Sequence, residues 1–145
     1  LSGNDDCGQM SAWYVMSAMG FYPMTHGEGI YCIGTPIFKD VTLHHKNGSL
    51  RIVAPKASRE NCYVQSVTLN GKQYSRNYLM HDEIFKGNNT LRFEMGNPPN
   101  KEWGSAKENR PPSMSDREYP KDLDQHIFFI TQQRMDNTKN RVGLI

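Results

Sequence analysis

Two aspartates, Asp5 and Asp6, stand side by side within Gly3-Asn4-Asp5-Asp6-Cys7-Gly8-Gln9, at the expected start of a helix and among glycines and amides. Paired carboxylates in that setting suit two kinds of chemistry. They can take a proton from an attacking water, or they can hold a divalent cation. The plainer reading is capping. An Asp at a helix N-terminus accepts from free backbone N–H groups and favours the helix dipole, an effect of about 1 kcal/mol. Capping accounts for one Asp; it gives no role to the second, to Asn4 or to the flanking glycines.

Other reactive residue types are less telling. His44 and His45 are neighbours on an expected strand, so they point to opposite faces and do not readily share a metal. Cys7, Cys32 and Cys62 are widely spaced and form no CxxC pair, which argues against a zinc site or a redox motif. One disulfide with a free thiol, and three free thiols, both remain open. Asn47-Gly48-Ser49 and Asn88-Asn89-Thr90 match the glycosylation pattern, although a turn also explains Asn47. Trp13, Tyr14 and Trp103 have rings that could stack on a sugar, but core packing is the simpler role for the first two. Met10, Met16 and Met19 read as core gap-fillers.

The elements that must position these residues follow from hydrophobic period. Residues 5–20 read as one helix, apolar nearly all round, which implies burial on most sides inside a larger assembly. Asp6 and Gln9 fit a capping box, and Gly20 fits the stop. From about residue 30 the period becomes two. Strands are expected at Tyr31–Ile33, Val41–Leu43, Leu50–Ala54, Tyr63–Leu69, Lys72–Tyr74 and Thr90–Met95. Asn47-Gly48 and Asn70-Gly71 are hairpin signals, which points to an antiparallel sheet. His81–Gly87 reads as a single helical turn. After Trp103 come Pro111, Pro112 and Pro120 among many charges, the composition of a linker, then a short apolar run, Ile127–Ile130.

Composition sets the bounds. The 145 residues make one ordinary domain or part of something larger. Seventeen Lys and Arg against fifteen Asp and Glu give a net charge of +2, which excludes a strongly basic nucleic-acid binder and an acidic tail protein. The apolar fraction of 37% is low and fits a loop-rich β protein. No apolar run approaches the ~18 residues of a membrane span. Leu1 is followed by no charged start and apolar core of a signal peptide, and the abrupt opening into a helix reads as a cut end.

Three stretches resemble glycoside hydrolase family 92, the calcium-dependent exo-acting α-mannosidases. They are Gly3-Asn4-Asp5-Asp6-Cys7-Gly8-Gln9-Met10-Ser11-Ala12-Trp13-Tyr14, Gly20-Phe21-Tyr22-Pro23 and Tyr31-Cys32-Ile33-Gly34-Thr35-Pro36-Ile37-Phe38. Gln65–Gly71, Phe93–Gly96 and Pro98–Gly104 continue the likeness, which covers about residues 2–104. The resemblance implies an α+β fragment from the C-terminal portion of such an enzyme. Residues 1–28 would be the last helix of an (α/α) barrel, residues 29–104 an antiparallel β-sandwich region, and residues 105–145 an irregular linker and tail that departs from the family pattern.

It also implies hydrolysis of terminal α-linked mannose with inversion. An acid protonates the leaving oxygen while a carboxylate on the other side activates water, at a carboxyl separation of roughly 6.5–9.5 Å. Asp5 and Asp6 are both assigned to the base side, and Asn4 to sugar or calcium contact. The acid and most of the barrel fall outside this chain, so the chain alone is expected to be inactive. The implied cofactor is calcium. The implied partners are a mannose-containing glycan, such as an N-glycan, and the remainder of the catalytic domain, in a periplasmic, cell-surface or secreted enzyme. The competing reading is a non-catalytic β-sandwich that binds carbohydrate or serves structure alone.

Overall fold

The computed structural model describes residues 6–25 and 27–113. In chain order these form α1 (Gln9–Met19), β1 (Phe21–Tyr22), β2 (Ile30–Ile33), β3 (Asp40–His45), β4 (Gly48–Val53), β5 (Tyr63–Leu69), β6 (Lys72–Tyr74), β7 (Tyr78–Met80), α2 (His81–Ile84) and β8 (Gly87–Gly96). The strands make a three-stranded sheet, β1-β2-β7, and a five-stranded sheet, β3-β4-β8-β5-β6. Contacts divide the chain into residues 1–111 and 112–145. Residues 114–145, with the expected run Ile127–Ile130, lie outside the described residues.

The period-two pattern works as expected in β8. Asn89, Leu91, Phe93 and Met95 are buried, while Asn88, Thr90 and Arg92 between them are exposed. β8 is central, with β4 on one side and β5 on the other. Its buried face meets Leu50 and Ile52 of β4 and Val67 of β5. Phe21, Leu79 and Ile84, from the smaller sheet and α2, belong to the same cluster. Each such fully buried side chain contributes on the order of 1.5–3 kcal/mol. Asn89 is the one buried polar residue among the described ones, and it is well bonded. Its amide donates to the carbonyls of Ile84 (3.1 Å) and Lys86 (3.0 Å), and its Oδ1 accepts from Asn70 Nδ2 (2.8 Å).

Three expectations need correction. First, the larger sheet is mixed, not antiparallel: β4 and β8 run parallel, Gly48 opposite Gly87 through Val53 opposite Arg92. The chain between them makes β5, β6, β7 and α2 before returning, a long crossover of the kind parallel pairing requires. Second, His45 pairs with Gly48, so the first hairpin turns on Lys46-Asn47. Gly48 is instead the first strand residue, at φ 146°, and a Cβ there would lie 2.2 Å from the Gly87 carbonyl oxygen. The glycine serves the close approach of β4 and β8, not the turn. The second hairpin is as expected: Leu69 pairs with Lys72, and Asn70 (φ 53°) and Gly71 (φ 78°) both have the positive φ of a type I′ turn. Third, the helix starts at Gln9, not residue 5. The short strands β1 and β7 had no periodic signal to announce them.

Candidate functional site

The approach to α1 is not a continuous helix. Asp6–Gly8 forms a 3₁₀ turn in which Cys7 has φ 54° and ψ 30°. Gly8 follows at φ 81° and is the N-cap of α1, with no side-chain hydrogen bond to the helix and no acidic residue in the first turn. The N-cap position thus falls to Gly8, so Asp6 and Gln9 do not occupy the N-cap and N3 positions that the expected capping box needs. Two successive left-handed residues, Cys7 and Gly8, interrupt the helical path ahead of α1. Gln9 has another partner: its Nε2 donates to the Tyr22 hydroxyl at 3.3 Å, linking the start of α1 to β1. Asn4 and Asp5 lie outside the described residues, and Asp6 is described by its backbone alone.

At its other end α1 is held firmly. Gly20, its C-cap, donates to Met16 and Ser17 carbonyls, the Ile37 N–H donates to Ala18 O, and Gly34 N–H donates to Gly20 O. Ala18 and Met19 are buried, and Met16 packs on the core. The rest of α1 is bare. Met10, Trp13, Tyr14 and Val15 are 46%, 44%, 60% and 52% exposed, so in this chain Trp13, Tyr14 and Met10 are not core residues. The buried residues of α1 fall in its last turn, and the large apolar side chains of its N-terminal half stand exposed. Beside it runs a groove of about 340 Å³, lined by Trp13, Ser17, Tyr22, Met24 and Ile33 among others. A second groove of about 440 Å³ continues past Thr35 along Ile37, Arg59 and Cys62.

The remaining candidates take structural roles. Trp103 Nε1 donates to the Tyr74 carbonyl at 3.0 Å, and its ring packs against the core. His44 is exposed and His45 half-buried, on opposite faces as expected; the His45 ring meets Phe85 edge-on at 5.5 Å. Cys7, Cys32 and Cys62 are all free thiols, and burial raises the pKa of Cys32. Among the described residues no group of three or more His, Cys, Asp or Glu could hold a metal ion.

Two polar groups escaped the sequence reading: one joins residues 50 apart in the chain, and the other is assembled across a strand, a loop and a helix. The Tyr31 hydroxyl and His81 Nδ1 are 2.8 Å apart, and burial raises the Tyr31 pKa. Around Glu83, Arg76 Nη2 donates to Oε1 at 2.5 Å and the Tyr74 hydroxyl donates to Oε2 at 2.9 Å. Burial pushes the Glu83 carboxyl up, but these hydrogen bonds outweigh it and leave its pKa below the usual value. Burial, and then the Glu83 hydrogen bond, raise that of Tyr74. The Arg76 guanidinium also lies over the Tyr74 and Tyr78 rings, at 4.9 and 5.1 Å. This network braces β6, β7 and α2.

The sequence profile of the glycosyl hydrolase family 92 catalytic domain matches residues 1–97. The chain belongs to glycosyl hydrolase family 92. A secreted glycosidase of Arthroderma benhamiae, itself uncharacterized, is 37% identical over 118 residues, 79% of this chain. An α-mannosidase of the family from Bacteroides thetaiotaomicron, whose structure has also been solved with mannoimidazole, is 42% identical and superposes over 79% of the chain with a TM-score of 0.73. An inverting mannosidase of the family from the same bacterium is also 42% identical, with a TM-score of 0.70 over 77% of the chain. The chain spans 15% of the length of each of these three relatives.

Proposed function

We propose that this chain is the C-terminal portion of an exo-acting α-mannosidase. Its α1 would be the last helix of an (α/α) barrel, its strands the β-sandwich region that follows, and its acidic doublet the source of the general base. The carrying observation is the 42% identity to two family mannosidases, one of them inverting and one solved with a mannose-like inhibitor. The bare N-terminal half of α1 supports the same reading. A free-standing sugar-binding sandwich, the rival, has no use for an exposed Trp13, Tyr14 and Val15 on one helix.

In the proposed reaction, Asp5 or Asp6 takes a proton from water as its oxygen attacks the anomeric carbon of a terminal α-mannose. The leaving oxygen takes its proton from an acid elsewhere in the full-length enzyme. Inversion needs space for the water between the two carboxyls, so neighbouring aspartates serve one side of the reaction, not both. Asn4 is assigned to the sugar. Calcium, when bound, would hold mannose hydroxyls and help distort the ring. The described residues contain no ligand cluster for it, and the base assignment rests on the doublet alone. The partners are a mannose-containing glycan and the remainder of the catalytic domain. An exported enzyme is in keeping with the secreted relative.

The 145-residue chain alone should not hydrolyse an aryl α-mannoside, and a full-length enzyme containing it should release β-mannose first, read by proton NMR. Turnover by the chain alone would overturn the need for an acid elsewhere. Initial release of α-mannose would overturn inversion.

A further inference from the structure

We infer that Gln9 and Tyr22 are positioning residues for the acidic doublet: the hydrogen bond between them ties the turn in which the doublet ends to the smaller sheet. The inference rests on the proposed function and adds two residues to the base side of the reaction. Only Cys7 and Gly8 separate Asp6 from Gln9. Both are left-handed, Cys7 at φ 54° and Gly8 at φ 81°. A cysteine meets a steric cost there that a glycine escapes, and such a conformation persists only where its surroundings hold it. The hold is not a cap, since no side-chain cap bond forms at Gly8. The next residue supplies a tie instead: Gln9 Nε2 donates to the Tyr22 hydroxyl at 3.3 Å, from 13 residues away.

Tyr22 is a firm anchor. It pairs with Cys32 across β1 and β2, and β2 pairs in turn with β7. Its neighbour Phe21 is 1% exposed and belongs to the core cluster. Beside them the Gly34 N–H donates to Gly20 O at 2.8 Å. The tie thus runs from a fixed strand to the first residue of α1. Magnitudes decide what such a bond does. One solvent-exposed hydrogen bond adds little to stability. A misplacement of about 1 Å at a reacting group, however, can lower a rate by about 10²-fold. The tie therefore acts on the geometry of the doublet more than on the stability of the fold.

The test uses a full-length family 92 enzyme containing this stretch, with kcat and KM measured on an aryl α-mannoside. Tyr22→Phe removes the accepting oxygen and Gln9→Ala the donor. Each should lower kcat about tenfold or more, with the melting temperature held. KM should stay within about twofold, the pattern of a group that serves the transition state alone. Because alanine could loosen the helix start, Gln9→Met, of similar length and without a donor, should match Gln9→Ala. The double variant Gln9→Ala, Tyr22→Phe should be no slower than the slower single variant, because both delete the same bond. Arg92→Ala, at an exposed position of β8, should keep the wild-type kcat.

Wild-type kcat in Tyr22→Phe and Gln9→Met would overturn the inference. So would losses that multiply in the double variant, which mark independent roles, or a raised KM at unchanged kcat, which marks contact with the sugar. Asp5→Ala and Asp6→Ala, run alongside, separate this inference from the function it rests on. If either is slow while the tie variants are not, the base assignment stands and the tie falls. If neither is slow, the base assignment falls and takes the tie with it.

Discussion

α1 and β8 are each apolar in sequence, yet they end in opposite situations. β8 buries every second residue from Asn89 to Met95 and has a strand on each side. α1 buries Ala18 and Met19 and leaves four large apolar side chains in solvent. The sheet completes its own core, whereas the helix presents a face that the described residues do not cover. Stability should therefore depend on the sheet, and association on the helix.

The largest expected effect breaks the sheet side of this contrast. Phe93→Ala removes a fully buried ring and should cost about 3–5 kcal/mol in urea unfolding, whereas Tyr14→Ser on α1 should stay within about 0.5 kcal/mol. Equal losses from the two would erase the distinction. Next is Gly48→Ala. Its φ of 146° and the Gly87 carbonyl leave no room for a Cβ, so strain on the order of 1–3 kcal/mol is expected, measured as a lowered unfolding midpoint. Asn89→Ala should cost about 1–3 kcal/mol, because it leaves the Ile84 and Lys86 carbonyls and the Asn70 amide without their partner.

The smallest effect is in pH dependence. The folded pKa of Glu83 is lowered, so its contribution is present above the unfolded carboxylate value and is lost as pH falls through the folded one. The Tyr74 pKa is raised, so its contribution is full below the ordinary tyrosine value and declines above it. Glu83→Gln should flatten the acid side of a stability–pH curve. An unchanged curve would remove the network from the account.

How much of this was legible in the sequence follows the range of the interactions. Local signals read well: the alternation of Thr90–Met95, the Asn70-Gly71 turn and the Gly20 stop all stand where expected. The parallel pairing of β4 with β8 was not legible, because strands separated by a long crossover leave no trace in period. The Lys46-Asn47 turn was masked by Gly48, whose need arises from Gly87, 39 residues on. At the candidate site, the residue types at the doublet were readable but their placement was not. The left-handed Cys7 and Gly8 break the helix before it reaches Asp6. The 13-residue reach from Gln9 to Tyr22 gave no signal in sequence.

The central claim is that the acidic doublet supplies the base, and it is tested most directly by turnover. Asp5→Ala and Asp6→Ala would be made separately in a full-length enzyme containing this stretch, with kcat measured on an α-mannoside and folding checked by thermal melting. The account predicts that at least one variant loses about 10²–10⁴-fold in kcat while its melting temperature holds. Wild-type kcat in both variants would contradict it.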